Sequence, residues 1–333
     1  MSDLPLVFNR RAVRRNRDRA AKRFAEHDFL FREVAERLLD RLDDVKRAFP
    51  LALDLGCRTG LIGRLRGARG RIETLVQCDL SEAMARAAAG ESPPPSYDRR
   101  VMPLGVPSHD DSLAARAAVV ADEEALPFAP ATFDLVLSAL ALHWTNDLPG
   151  ALVQIRSSLK PDGLFLGALF GGDTLKELRR ALTEAELEIA GGAGPRVAPF
   201  ADVRDLGALL QRAGFALPVV DADIIPVSYA DPLRLMRDLR GMGEGNAVAG
   251  RRSGFSRRGL FASANERYVR AVMPVGMHPH DAGADGRVSA TFQIVFLTAW
   301  APHPGQQKPL RPGSATASLA QALGPKPEND PAR

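Results

Sequence analysis

The chain has 333 residues, of which 45% are hydrophobic and 25% charged, proportions that are typical of a folded globular protein. No apolar run reaches the roughly 18 residues of a membrane-spanning helix, and the N-terminus lacks the layout of a secretion signal. We therefore expect a cytoplasmic protein without a transmembrane segment. The two cysteines, Cys57 and Cys78, exclude a four-cysteine zinc site and are expected to be small buried side chains.

The formal net charge is +4, and only six of the 44 basic residues are lysines. Such an arginine-rich composition can arise from coding bias as well as from a binding surface, so we predict no nucleic-acid partner. The densest stretch, residues 8–23, contains seven arginines and one lysine. These cations could bind an acidic partner or form a solvated helix face, and the solvated face is the favoured interpretation.

The N-terminal region, residues 1–50, is predicted to be helical. After the arginine-rich stretch, apolar residues recur every three or four positions, which places them on one core-facing stripe. They are Leu30, Val34, Leu38, Leu42, Val45 and Phe49. Pro50 is expected to end this helix.

Short apolar segments then alternate with helical ones. Strands are predicted at 51–55, 74–78, 117–121, 133–139, 164–170, 216–227 and 288–299. Helices are predicted at 61–66, 83–89, 146–159, 174–190 and 202–213, with a turn at 160–163. This alternation predicts an α/β fold over residues 51–300, with a doubly wound, mostly parallel, seven-stranded sheet.

Two segments interrupt the alternation. Residues 91–111 are proline-rich and are predicted to be a surface insertion. Residues 231–286 separate the last two strands and contain helical patterns, so we expect a helical cap over a cleft. The tail, residues 301–333, is rich in proline, glycine, serine and alanine and is expected to be loose.

Glycines and acidic residues follow the ends of the first three strands. Loop 54–60, DLGCRTG, contains two glycines that let the backbone approach a ligand closely. Asp79 ends the second strand, where a carboxylate can accept both hydroxyls of a ribose. Asp122 and Glu123 follow the third strand, where a carboxylate can accept from an adenine amino group. Because parallel strands end at one edge of the sheet, the sequence predicts an adenosine site there.

The spacing of the glycines indicates which cofactor class is bound. A dinucleotide fold requires G-x-G-x-x-G, and a phosphate-binding P-loop requires Gly-Lys-Ser/Thr; neither pattern occurs at this loop. The observed frame, D-x-G-x-x-x-G, resembles motif I of class I S-adenosylmethionine-dependent methyltransferases. FDLVLSALALHW and KPDGLFLGALF resemble the motifs of their fourth and fifth strands. The resemblance covers about residues 20–170 and implies a Rossmann-like fold with S-adenosylmethionine as cofactor.

Longer strings extend the resemblance over nearly the whole chain. They are VFNRR, FPLALDLGC, ADEEALPF, FDLVLSALALHWTNDLPGAL, LKPDGLFLGALFGGDTLKELR, APFADVRDLGALLQRAGF, MRDLRGMGEGNAV, ATFQI and GSATASL. Together they resemble the respiratory complex I assembly factor five family, which is methyltransferase-like and has mitochondrial and bacterial members. That family is more distantly similar to the malonyl-acyl-carrier-protein O-methyltransferase of biotin synthesis.

This resemblance implies a function. The mitochondrial members are held to hydroxylate an arginine of the iron–sulfur subunit that helps to form the quinone site of complex I. The chain is therefore expected to act on that protein, by methyl transfer or by arginine hydroxylation, and to lie at the inner membrane through it. Two alternatives remain: a non-catalytic assembly chaperone that binds the cofactor, and a malonyl-acyl-carrier-protein O-methyltransferase whose basic N-terminal helix meets an acidic carrier.

The resemblance also implies roles for individual residues. The implied cofactor contacts are Asp54, Gly56, Arg58, Gly60, Asp79, Leu80, Asp122 and Glu123. His143 and Trp144 would face the reaction site, Trp144 on the substrate side. His143 is interpreted either as a general base or as a structural histidine.

Arg58 departs from the family pattern, which has glycine at this position. An arginine in an ordinary α or β conformation could pair with the methionine carboxylate of the cofactor. Alternatively, its side chain could fill the pocket and abolish binding. Retained but altered binding is favoured, because a left-handed backbone at a non-glycine residue costs only about 1 kcal/mol.

No metal site is predicted. A non-haem iron site requires two histidines and a carboxylate, and such letters occur at 109–111 (HDD) and 278–281 (HPHD). Both strings lie in proline-containing, loop-like segments, where chance matches are common. Hydroxylation therefore follows from the resemblance alone.

Overall fold

The computed structural model of the protein describes residues 6–90, 115–252, 254–272 and 287–306. It divides the chain into a large unit, Met1–Pro302, and a short unit, His303–Arg333. In the described part of the short unit, the backbone N–H of Gln306 donates to the carbonyl of His303. The predicted insertion at 91–111 and most of the predicted tail lie outside the described residues.

The described residues form one seven-stranded sheet. Its strands are β1 (Leu51–Leu55), β2 (Thr74–Asp79), β3 (Ala115–Val120), β4 (Phe133–Ala139), β5 (Leu159–Phe170), β6 (Ala216–Tyr229) and β7 (Val288–Trp300). Their spatial order is β3-β2-β1-β4-β5-β7-β6, and only β7 among them runs antiparallel to its neighbours. The predicted doubly wound, mostly parallel α/β sheet is therefore confirmed.

Within the same ranges the chain forms nine α-helices. They are α1 (Arg10–Ala20), α2 (Phe29–Asp43), α3 (Leu61–Leu65), α4 (Glu82–Ala88), α5 (Leu148–Ser158), α6 (Lys176–Ala190), α7 (Val203–Arg212), α8 (Pro232–Gly241) and α9 (Arg258–Val272). No helix among them is both long and apolar enough to cross a bilayer.

Two hydrophobic cores cover the two faces of the sheet. On one face, α2, α6 and α9 contribute side chains such as Leu38, Leu182 and Tyr268. On the other face, α5 and α7 contribute Ile155 and Leu210. The central strands are buried on both sides, which explains why they consist of nearly continuous apolar residues rather than an alternating pattern.

Two predicted boundaries were wrong. The N-terminal helix does not continue to Phe49, because α2 ends at Asp43 and the chain then runs irregularly to β1. Two acidic residues, Asp43 and Asp44, stand at that end, where the helix dipole disfavours negative charge. The predicted turn at 160–163 instead belongs to β5, where Asp162 has a φ of 63° and the register against β4 shifts.

The order of the strands reverses between β1 and β4, so their carboxyl ends border a crevice where ligands bind in folds of this class. Two additional elements approach this edge. Helix α1 precedes the sheet, and α8 packs against α1. Helix α9 packs mainly against α6 and also contacts α8, so the two helices of the predicted cap segment touch each other.

Candidate cofactor site

The loop after β1 has the backbone geometry that its glycines allow. Gly56 and Gly60 have φ values of 76° and 78°, in the left-handed region. The backbone N–H groups of Gly56 and Cys57 both donate to the carbonyl of Cys78, at 2.7 and 2.9 Å. A Cβ atom at Gly56 would lie 2.1 Å from the Cβ of Ala141, so a larger residue does not fit there.

Arg58 takes a glycine-like conformation in this loop, which corrects the expectation of an ordinary α or β backbone. Its φ is 52°, in the left-handed region that favours glycine. Hydrogen bonds compensate the resulting strain of about 1–2 kcal/mol. Its N–H donates to Asp79 at 3.0 Å, and its buried guanidinium donates to Glu244 at 2.6 Å and to the carbonyl of Leu140 at 2.9 Å.

The carboxylates at the ends of β2 and β3 are paired with arginines of α1. Nη1 of Arg17 donates to Glu123 at 2.6 Å and to Asp79 at 3.2 Å, and all three side chains are fully buried. Arg10 contacts Glu123 and Asp122 through its guanidinium, and it donates to the carbonyl of Trp144. The expectation that the N-terminal arginines form a solvated face is therefore wrong for Arg10 and Arg17.

These pairs determine the ionisation of the buried acids. Burial alone opposes the charge on Glu123, but Arg17 and Arg10 outweigh it and lower its pKa to about 2. Burial likewise opposes the charge on Glu244, where His143 and Arg58 lower the pKa to about 2. The site is thus a dense array of ionised carboxylates and guanidinium groups.

Asp54 differs from the other acids because it forms no ion pair with a described residue. It is fully buried at the end of β1, neither carboxylate oxygen has a described partner within hydrogen-bonding distance, and Gln77 and Arg64 offset the effect of burial only in part. Burial therefore raises its pKa to about 7. Nε and Nη2 of Arg17, and Nε and Nη1 of Arg58, are also buried without a described partner. These unpaired nitrogens and oxygens are available to a polar ligand or to water.

A second cluster lies beyond β4 and is organised by Glu244. Its Oε2 accepts from Nε1 of Trp144 at 2.6 Å and lies 3.0 Å from Nε2 of His143. Burial lowers the pKa of His143 below its usual value, although Glu244 opposes that shift. Phe170 and Phe200 enclose the imidazole, with ring centroids 4.6 and 5.8 Å away.

Sequence reasoning placed most of these groups together but missed several. Leu80, half-buried, packs against the cluster that contains Phe8 and Trp144, and Asp122 is partly exposed beside Arg10. Glu244 was missed; it lies between two glycines in GMGEGN, after the end of α8, and no local pattern marks it as buried. The roles of Arg10 and Arg17 were also missed.

Two other expectations concern cysteines and metals. Cys57 and Cys78 are buried and free, as predicted. The described residues contain no group of three or more histidine, cysteine, aspartate or glutamate side chains that could hold a metal ion. The two histidine–aspartate strings at 109–111 and 278–281 lie outside those residues.

Comparisons with known proteins agree with this geometry. Residues 53–167 match the family model described as a methyltransferase domain. The arginine hydroxylase NDUFAF5 of Danio rerio is 42% identical to this chain, and the match covers 94% of this chain and 88% of the relative. The human NDUFAF5 is 41% identical, and the match covers 95% of this chain and 83% of the human protein. A malonyl-acyl-carrier-protein O-methyltransferase of Methylovorus is 35% identical, and the match covers 89% of this chain and 90% of the relative. The solved structure of YcgJ from Bacillus subtilis has a TM-score of 0.51 over 81% of this chain and 99% of its own, at 14% identity, which supports the fold alone.

Because Asp54 is buried without an ion pair among the described residues, its contribution to stability should depend on pH. Its pKa is about 7 in the folded chain and 3.8 in its ordinary state, so between these values the folded chain binds more protons than the unfolded chain. Its contribution to stability therefore falls as pH rises from about 4 to 7. We expect the free energy of unfolding of Asp54→Asn, relative to that of wild type, to be about 2–3 kcal/mol higher at pH 8 than at pH 5. Urea unfolding at the two pH values measures this difference.

Glu73→Gln is the matched control, because Glu73 is exposed and its substitution removes one carboxylate in the same way. The free energy of unfolding of Glu73→Gln should differ from that of wild type by nearly the same amount at pH 5 and at pH 8. If the difference in unfolding free energy between Asp54→Asn and wild type also stays the same from pH 5 to pH 8, burial does not raise the pKa of Asp54.

Proposed function

We propose that this chain, which belongs to the family of the arginine hydroxylase NDUFAF5, binds S-adenosylmethionine at the carboxyl edge of its sheet and modifies a protein in respiratory complex I assembly. The single observation that supports this most strongly is the 42% identity, which extends along 94% of the chain and not only over the methyltransferase domain. By fold and by domain match, the chain is a class I methyltransferase-type enzyme, and S-adenosylmethionine is the cofactor of that class.

The proposed cofactor contacts are Asp54, Gly56, Arg58, Gly60, Asp79, Leu80, Asp122 and Glu123. The chemistry of this set suits an adenosyl group. The bare backbone at the two glycines permits close approach, and the carboxylates at the ends of β2 and β3 can accept from ribose hydroxyls and an adenine amino group. Arg58 has two buried, unpaired N–H-bearing nitrogens, which supports its pairing with the methionine carboxylate.

Binding nevertheless requires an exchange of partners. In the described conformation, Arg17 occupies the oxygens of Asp79 and Glu123 that the ribose and the base would need. Removing a guanidinium from buried carboxylates without replacement costs about 3–5 kcal/mol. The cofactor's donors must therefore replace Arg17 as it leaves, and the affinity of the cofactor is reduced by the strength of the ion pairs that it displaces.

The residues beyond β4 could hold and use a proton. Because Glu244 is ionised, it accepts from His143, which assigns the imidazole proton to Nε2 and leaves Nδ1 as an unpaired acceptor. A neutral histidine in this tautomer is suited to act as a general base at Nδ1. Bound S-adenosylmethionine supplies an activated methyl group, so the remaining task of these side chains is to orient the substrate and exclude water.

Arginine hydroxylation is supported by the name of the relatives rather than by side chains of the described residues. It requires an oxidant, and no candidate metal cluster occurs in that part of the chain. Methyl transfer needs no such group. We therefore retain both reactions, with the iron–sulfur quinone-site subunit as the proposed substrate and the cytoplasm beside the inner membrane as the proposed location.

A second candidate is the O-methylation of a malonyl group on an acyl carrier protein. Besides the 35% identity to such an enzyme, it is supported by a cavity of about 260 Å³ next to Trp144. Apolar side chains, including Phe170 and Phe200, line most of this cavity, and Arg240 also borders it. An acyl chain with a carboxyl group would match that combination. The lower identity makes this the second choice.

The exchange at Arg17 is tested by Arg17→Met. Without cofactor, we expect the variant to lose about 3–5 kcal/mol of stability, because Asp79 and Glu123 lose their shared guanidinium. The cofactor's donors go to the same carboxylates, so saturating S-adenosylmethionine should raise the melting temperature more in the variant than in wild type. Thermal unfolding with and without the cofactor measures both effects.

Arg15→Met is the control, since Arg15 lies exposed on the same helix. It should change neither the stability without cofactor nor the rise in melting temperature that the cofactor causes. Arg17→Lys, which keeps the charge, should lie between wild type and Arg17→Met in both quantities. An equal or smaller cofactor-induced rise in Arg17→Met would show that Arg17 and the cofactor do not compete for these acids.

The reaction is tested by mass spectrometry of the quinone-site subunit, purified from cells with and without this gene. We expect a gain of one oxygen or one methyl on an arginine when the gene is present, and the mass distinguishes the two reactions. Cells that carry Asp79→Ala should resemble cells without the gene. An unmodified subunit in all three strains would contradict the enzymatic proposal and favour a chaperone.

A further inference from the structure

A larger cavity, of about 530 Å³, lies between the N-terminal helices and α8. It is separate from the proposed cofactor contacts, and besides Glu26 and His27 its charged or titratable lining residues are five arginines. They are Arg19, Arg23, Arg234, Arg237 and Arg240. We call this cavity the arginine cleft.

Helical periodicity places these cations in the cleft. Arg234, Arg237 and Arg240 recur every third residue along α8, so they share one face, while Leu235 and Leu239 of the same helix are buried in the core. Arg19 and Arg23 are four residues apart on the facing N-terminal segment. Both walls of the cleft therefore carry positive charge.

Few of these charges are compensated within the described chain. Arg23 forms an ion pair with Glu26, and Arg234 lies 3.8 Å from Asp238. The side chains of Arg19, Arg237 and Arg240 form no hydrogen bond or ion pair with another described residue and are exposed. Like charges that surround one cavity repel each other, and an anionic ligand would remove that repulsion.

The arginine cleft leads toward the reaction side of the molecule. Three residues, Arg240, Gly245 and Asn246, border both this cleft and the 260 Å³ cavity beside Trp144 and Glu244. The amide of Asn16 on α1 donates to the carbonyl of Gly245 at 2.8 Å, which fixes α1 to the junction. An extended ligand in the cleft could therefore continue into the cavity next to Trp144 and Glu244.

We propose that the arginine cleft binds an acidic segment of the protein substrate, while the residue to be modified enters the adjoining cavity. Guanidinium groups pair with aspartate and glutamate carboxylates through two parallel hydrogen bonds, and several arginines along two walls suit several carboxylates along a peptide. The continuity of the two cavities favours a segment of the substrate over a small anion. This inference rests on the proposed protein substrate and adds the feature by which that protein is recognised.

The test measures binding of a fluorescein-labelled, glutamate-rich octapeptide to the full chain by anisotropy, without cofactor or turnover. We expect the peptide to bind, with an affinity that falls as salt rises, and its glutamine counterpart not to bind. Arg237→Gln/Arg240→Gln should weaken binding at least tenfold, since it removes two of the three uncompensated cations.

The control is Arg204→Gln/Arg212→Gln on α7, which makes the same change in net charge at exposed positions remote from the cleft. It should bind the peptide as wild type does. Equal loss in both double variants, or equal binding of the glutamine peptide, would overturn the proposal. Displacement of the peptide by pyrophosphate at lower concentration than by unlabelled peptide would also overturn it, in favour of a phosphate site. The peptide-binding test involves neither cofactor nor reaction. A negative result would therefore not contradict the proposed enzymatic function, and an unmodified subunit in the mass spectrometry test would not contradict peptide binding.

Discussion

The structure depends on pairing between arginines and buried carboxylates at the carboxyl edge of the sheet. Asp79 ends β2, Glu123 follows β3, and burying carboxylates without partners would be strongly destabilising. Arg17 supplies the partner from α1, and the same contact holds the N-terminal helix against the sheet. The acids that we propose as contacts of the adenosyl group are therefore also the acids that anchor α1, so our proposal links cofactor binding to the position of this helix.

A second arginine connects the loop after β1 to the segment that follows α8. Arg58 keeps the left-handed backbone of a glycine and directs its guanidinium to Glu244, which also accepts from His143 and Trp144. One carboxylate thus joins the loop after β1, the imidazole of His143 and the indole of Trp144. The buried side chain of Arg58 therefore forms a charged link between the loop after β1 and the segment after α8.

Much of the fold could be predicted from the sequence, because a strand buried on both faces needs a continuous apolar run and because parallel strands end at one edge. That geometry also placed Asp79 and Glu123 together. The burial of Arg17 could not be predicted in the same way. It stands among exposed arginines with no local feature to distinguish it, and its partners lie 62 and 106 positions away. Glu244 is likewise brought to His143 by tertiary packing, across 101 positions.

A crystal structure of the chain with S-adenosylhomocysteine at saturating concentration would show directly whether the cofactor displaces Arg17. We expect the ribose on Asp79, the adenine beside Glu123, and the Arg17 guanidinium beyond hydrogen-bonding distance of both carboxylates. A structure in which the ligand is absent or bound elsewhere, with Arg17 still paired to Asp79 and Glu123, would contradict this expectation. In that case the arginines would be a permanent part of the core rather than partners that the cofactor displaces.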